Sequence, residues 1–225
     1  MLPYLPKSIH IFALTLRGHG ESGRPATGYS VEIFAADLLD FMDKLDIEKA
    51  VVAGGSSGGI TARRFAIDHP ERISGLVFLG SPLSLRDKPG ILELWNSTIS
   101  KLTDPIDPNF VREFAESTFS PAIPQEFMDK IIKENLKVPT RVWKSTLKGL
   151  LEDNTLSHLN KIKCPTLLIW GDKDTIVTRS EQEAMANTIA NSQLIIYPGA
   201  GHALYCEEPA RTASDISAFI TKLLS

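Results

Sequence analysis

The chain has 225 residues, 43% hydrophobic and 23% charged, a balance that suits one packed soluble core and excludes a disordered or fibrous chain. A formal net charge of −3 gives no basic footprint, so neither nucleic acid nor a membrane surface is expected as a partner. There is no bilayer-length apolar run and no signal peptide, and the two cysteines, Cys164 and Cys206, make no disulfide framework, so a reducing cytoplasm is the expected location.

Residues 1–10 carry little pattern, and Ile11-Phe12-Ala13-Leu14-Thr15-Leu16 then reads as a buried strand. A polar, glycine-rich loop follows, Arg17-Gly18-His19-Gly20-Glu21-Ser22-Gly23-Arg24-Pro25. Ser30 is placed to cap a helix in which Phe34, Leu38 and Met42 recur every four residues while Asp37, Asp40 and Lys44 face away. The β-branched start of Val51-Val52-Ala53-Gly54-Gly55-Ser56-Ser57-Gly58-Gly59-Ile60 breaks into small residues and then into Thr61-Ala62-Arg63-Arg64-Phe65-Ala66, predicting strand, tight turn and helix. That helix should stop near His69-Pro70, and Gly75-Leu76-Val77-Phe78-Leu79-Gly80 is the next strand. Such alternation of strand and helix predicts a parallel sheet with helices on both faces.

From Leu83 to about Asn160 the alternation stops. Apolar stripes through Ile91, Leu94, Trp95, Ile99 and Leu102, through Phe110, Val111 and Phe114, through Phe127, Met128, Ile131 and Ile132, and through Val142, Trp143, Leu147 and Leu150 predict consecutive helices. They form a helical insertion, residues 83–160, between core segments 1–82 and 161–225. Trp95, Phe114 and Trp143 are the aromatics that could line a substrate pocket, although most such residues must pack the insertion's own core. The sheet resumes at Pro165-Thr166-Leu167-Leu168-Ile169-Trp170 and runs into Gly171-Asp172-Lys173-Asp174. Ser180 with Glu183 reads as a capping box, Leu194-Ile195-Ile196-Tyr197 as the final strand, and Pro209 as the start of a helix burying Ile216, Phe219, Ile220 and Leu223. Between the last two lies Pro198-Gly199-Ala200-Gly201-His202, a loop with no structural need for an imidazole.

Gly54-Gly55-Ser56-Ser57-Gly58 fits G-x-S-x-G, in which a serine is exposed on a strained turn at the carboxyl end of a strand. The pattern also fits one residue later, with Ser57 at its centre. The first register puts Ser56 two residues beyond the apolar run, leaves Gly58 and Gly59 to pack helix against sheet, and gives Ser57 the backbone N–H after the nucleophile. A phosphate loop is disfavoured because G-x-x-x-x-G-K-[ST] is absent and serine occupies the second glycine position of G-x-G-x-x-G; a plain glycine-rich turn is the bland alternative. A serine hydroxyl needs an adjacent base, and that base needs a third group to hold its tautomer. Serine, acid and histidine follow in that order, each just past a predicted strand, so Ser56, Asp174 and His202 form a candidate triad. No metal-ligating spacing appears, no cofactor is expected, and both cysteines read as packing residues; Glu207-Glu208 reads as the acidic start of the last helix.

Taken together, these motifs resemble the α/β-hydrolase fold superfamily, in its cap-bearing, esterase-like branch. Arg17 to Ser22 resembles the loop after that family's fourth strand, Gly54 to Gly59 its nucleophile elbow, and Gly171 to Asp174 and Gly201-His202 its acid and histidine loops. The resemblance implies a mostly parallel sheet flanked by helices, a cap over 83–160, and a serine hydrolase acting on a small ester, lactone or related carbonyl substrate. It places the acid at Asp174 rather than Asp172, and the Ser57 N–H in the oxyanion hole. A perhydrolase-like activity would use the same triad, whereas dehalogenases and epoxide hydrolases carry aspartate where Ser56 stands.

The chain departs from that pattern at its amino end, where too few residues precede Ile11 for the family's first three strands and the loop that supplies a second oxyanion donor. Loss of one such donor costs about 2.7–4 kcal/mol of transition-state stabilisation in the measured precedent. Either Met1 is internal to a longer enzyme, or the protein is a shortened relative that binds without turnover. Thr15 where aspartate is common, Gly55 where histidine is usual and Ser57 in place of a larger residue are smaller departures.

Overall fold

A computed structural model describes residues 1–120 and 123–224. The apolar runs between polar turns form four strands: β1 (Ala50–Gly55), β2 (Ile73–Leu79), β3 (Thr166–Gly171) and β4 (Ser192–Tyr197). They lie side by side in the order β1-β2-β3-β4, and every neighbouring pair is parallel. All four carboxyl ends therefore share one edge of the sheet, where loops distant in sequence can meet.

Alternation along the strands divides the core in two. Val52, Leu76, Phe78 and Leu168 face helices α1 (Val31–Lys44), α2 (Ser57–Asp68) and α7 (Arg179–Thr188), meeting Met42, Phe65 and Met185. Val77, Leu79, Leu167 and Ile169 face the opposite way onto α8 (Leu204–Glu207) and α9 (Pro209–Leu224), through Leu204 and Ile216. Each central strand buries both its faces, which is why these strands read as near-continuous apolar runs.

Between β2 and β3 the chain folds into α3 (Pro89–Ser97), α4 (Pro108–Glu116), α5 (Gln125–Leu136) and α6 (Thr140–Leu151). This segment has its own core around Ile106, Val111, Met128 and Ile132, and it seats on the sheet domain where Leu85 and Leu150 meet Val31 and Ile60. Asp107 caps α4 by accepting from the Asn109 N–H at 2.9 Å. The capping box at α7 consists of Thr178 and Glu181 rather than the expected Ser180 and Glu183. Glu183 pairs instead with Arg179 one turn away. Ser30 occupies the N-cap position of α1, but its side chain makes no cap bond.

The largest departure from expectation is at Ile11–Leu16, which is not a strand. Its backbone between His10 and Leu14 makes no backbone hydrogen bond to another part of the chain among the described residues, and Ile11 and Phe12 are exposed. The physical reason is that a strand exists only with a pairing neighbour. Here a cavity of about 640 Å³ separates the segment from the free edge of β1. It is lined by Ile11, Phe12, Leu14 and Leu16 on one side and Val51, Ala53 and Gly55 on the other, with Phe41, Met42 and Ile220 closing it.

Candidate active site

Ser56 sits where β1 ends and α2 begins, with φ 49° and ψ −122°, one of two non-glycine residues at positive φ among those described. A serine pays for such a backbone only where its surroundings over-determine it. Its N–H donates to Leu79 O on β2 at 2.9 Å, and its carbonyl accepts from the Gly59 N–H at 2.9 Å. The turn closes because glycine stands at two crowded points: a Cβ on Gly54 would lie 2.3 Å from Gly58 O, and one on Gly59 2.2 Å from Ser81 Oγ. Gly58 has open space where its Cβ would be, so only Gly59 of the expected pair is required by packing. Of the two serines, the turn singles out Ser56; Ser57 is the first residue of α2.

Asp174 follows β3 and His202 follows β4, and the shared sheet edge brings both to Ser56. His202 Nε2 lies 2.8 Å from Ser56 Oγ, and His202 Nδ1 lies 2.8 Å from Asp174 Oδ2. The Asp174 side chain is fully buried and that of His202 nearly so. Asp174 Oδ1 accepts from the N–H groups of Ile176 and Val177 at 2.8 and 2.9 Å, which fixes the carboxylate in one orientation. A carboxylate can only accept, so Nδ1 carries the imidazole proton, and the Nε2 lone pair faces the serine hydroxyl, which donates to it. Asp172 accepts from the Gly199 N–H at 2.7 Å and thereby ties the acid loop to the histidine loop.

Phe114 and Trp143 meet edge to face with ring centroids 5.1 Å apart, and Phe110 packs on both. Trp143 Nε1 is buried with no hydrogen-bond partner among the described residues. Trp95 is half-buried on α3 and makes no ring contact among the described residues. Burial pushes both cysteine thiols up, that of Cys206 to about 11, so neither is a thiolate at neutral pH. Among the described residues no cluster of His, Cys, Asp and Glu could hold a metal ion, and no helix is long and apolar enough to cross a membrane. Glu207, expected only as part of the acidic start of the last helix, belongs to this region: it accepts from the N–H of Gly201, beside His202, at 2.6 Å. It lies at the end of α8, not at the start of α9. Nothing in its sequence context separated it from an ordinary acidic helix end.

Residues 1–209 match the model of the alpha/beta hydrolase fold family. The chain is 29% identical to 2-hydroxymuconate semialdehyde hydrolase of Pseudomonas sp. (strain CF600), covering 99% of this chain and 80% of that one. It is 26% identical to monoacylglycerol lipase abhd6-B of Xenopus laevis, covering all of this chain and 71% of the relative. Among solved structures, a thermophilic esterase from Thermogutta terrifontis superposes with a TM-score of 0.84 at 28% identity, over 93% of this chain and 79% of the esterase.

Proposed function

The chain belongs to the α/β-hydrolase fold family and is a hydrolytic enzyme, and from that premise we propose that it cleaves a small ester or lactone through Ser56, His202 and Asp174. The observation that carries this reading is the continuous hydrogen-bonded line from Asp174 Oδ2 through both imidazole nitrogens to Ser56 Oγ, with both links at 2.8 Å. Ser56 Oγ attacks the substrate carbonyl carbon while His202 Nε2 takes its proton, and Asp174 stabilises the imidazolium that results. The tetrahedral oxyanion receives the N–H of Ser57, one of the unpaired donors in the first turn of α2, where the helix dipole also favours negative charge. Collapse expels the alcohol, which takes its proton from His202, and leaves the acyl group on Ser56. Water, deprotonated by the same imidazole, then releases the acid. Residues 83–160 act as the cap, closing the carboxyl edge of the sheet over this chemistry and excluding bulk water.

Similar proteins support the carbonyl class: besides the semialdehyde hydrolase and the lipase, they include an N-acyl homoserine lactone degrading enzyme of known structure, 25% identical. Hydrolysis of p-nitrophenyl acetate and of a homoserine-lactone substrate, each with a Ser56→Ala control, tests the proposal. Turnover that disappears in Ser56→Ala, together with fluorophosphonate labelling of the wild type alone, is the expected result. Folded wild-type protein that neither turns over nor labels would overturn it.

A further inference from the structure

Two different supports hold the loop that carries His202. On the sheet side, the Gly199 N–H donates to Asp172, and Ala200 O accepts from the Lys173 N–H at 2.9 Å. Immediately on either side of His202 the bonds run the other way, toward the helical segment. The Ala203 N–H donates to Thr118 O at 2.9 Å. The Gly201 N–H donates to Glu207 Oε2 at 2.6 Å, while Glu207 Oε1 accepts from the Ser120 N–H at 3.0 Å. A single carboxylate thus joins two backbone donors from parts of the chain far apart in sequence, the histidine loop and the strap that follows α4. Their approach is close enough that a Cβ on Gly201 would lie 2.5 Å from Ser120 N and 2.8 Å from Glu207 Oε1.

From this arrangement we propose that Glu207 is a positioning residue that makes the alignment of His202 depend on the seating of residues 118–120. The proposal rests on the triad reading above. A carboxylate has no donor of its own, so it can satisfy two N–H groups at once and has no competing way to bind either. When the strap is seated, the two bonds through Glu207 and the Ala203–Thr118 bond fix the backbone on both sides of His202, and the imidazole holds its line between Asp174 and Ser56. With the strap displaced, Ser120 withdraws its donor and the loop keeps only its sheet-side supports. His202 is then aligned for proton transfer after the segment has closed. Such coupling acts on the chemical step, because small misplacements of a catalytic group are expressed in the transition state.

The test compares steady-state hydrolysis of p-nitrophenyl acetate by wild type, Glu207→Gln and Ser120→Pro. Glu207→Gln puts an NH₂ donor against one of the two N–H groups. Ser120→Pro deletes the strap's donor and sets its ring Cδ against Glu207 Oε1, so the carboxylate must turn away from the strap, while its Oε2 can still accept from the Gly201 N–H. Both variants are expected to lower kcat by about tenfold to a hundredfold with KM within about twofold, and to slow fluorophosphonate labelling of Ser56 in parallel. Thermal midpoints measured beside the kinetics show whether a loss of rate is a loss of fold. If Glu207→Gln does not fold, the Ser120→Pro result decides, since that site is exposed. Wild-type kcat in Ser120→Pro would overturn the coupling even if Glu207→Gln is impaired, because the carboxylate would then serve only its own loop. A rise in KM at constant kcat would also overturn it, by assigning these residues to substrate binding. Absence of Ser56-dependent turnover or labelling in the wild type is a different failure, that of the triad reading itself.

Discussion

Asp172 and Asp174 lie two residues apart in one loop, yet they accept from different donors and should respond differently to the same substitution. Asp174 bonds His202 through one oxygen and two backbone N–H groups through the other. Asp174→Asn presents an amide donor to the imidazole and favours the wrong tautomer, which in the precedent serine-protease triad costs about 10⁴ in kcat. A loss of about 10³ to 10⁴ is therefore expected in ester hydrolysis. Asp172 uses a single oxygen to accept from Gly199 N–H, and asparagine keeps that oxygen. Asp172→Asn should stay within about twofold of wild type, the range of a substitution that preserves its contact. Equal losses in the two variants would show that the acid has been misassigned. Both aspartates and their loop were visible in the sequence, and so was the strand-to-helix turn that carries Ser56, because motif order and strand ends are linear information. Glu207 was not visible, because its importance comes from two partners, Gly201 and Ser120, that only the fold brings to it.

On helix α2, Arg63 shows how one element can hold both ends of the helical segment. It is fully buried, and its guanidinium donates to Leu83 O at 2.8 Å where the segment begins and to Thr155 Oγ1 at 2.7 Å and Asp153 Oδ2 at 2.8 Å where it ends. Burial pushes the guanidinium pKa down, against the pull of Asp153. Removing one partner of such a pair strands the other charge in the interior. Arg63→Met is expected to cost about 3–5 kcal/mol, read as a lower urea midpoint. The double variant Arg63→Met with Asp153→Leu should recover much of that loss, since it leaves no unpaired charge. An unfolding free energy for Arg63→Met within about 0.5 kcal/mol of wild type would mean that the pair does not clamp the segment. In sequence Arg63 looked like any charge on a helix, because charges are ordinarily solvated. The strand and helix elements themselves were legible wherever periodicity and partner agreed, as in β2 and α9. Ile11–Leu16 failed because its apolar pattern says that it can pair, not that a neighbour is within reach. The capping box shifted from Ser180 to Thr178 because the helix starts two residues earlier than the motif suggested.

At the scale of the whole molecule, the four described strands leave two edges, β1 and β4, so the strand that carries Ser56 is paired on one side while β2 and β3 are paired on both. Ser56 N–H donates to Leu79 O on β2, which fixes the phase of β1. With a period of two, Val52 and Gly54 also present their N–H groups to β2, whereas Val51, Ala53 and Gly55 present theirs to the cavity. Ala53 is exposed, although it lies three residues before the proposed nucleophile on a strand whose other neighbours are core. Free backbone groups along such an edge must be satisfied by solvent, because burying them unpaired would cost free energy comparable to a lost hydrogen bond. Amide hydrogen exchange resolved by residue should therefore split β1 into two sets. Val52 and Gly54 should exchange through opening of the sheet and be strongly protected, while Val51, Ala53 and Gly55 should exchange orders of magnitude faster, through local exposure. Uniform protection along β1 would show that the cavity side of the strand is closed in solution and that the edge has found a partner. The split pattern would mean that the serine turn is held by the β2 side and by the packing of Gly54 and Gly59, so that its strained geometry persists with one face of its strand open to water.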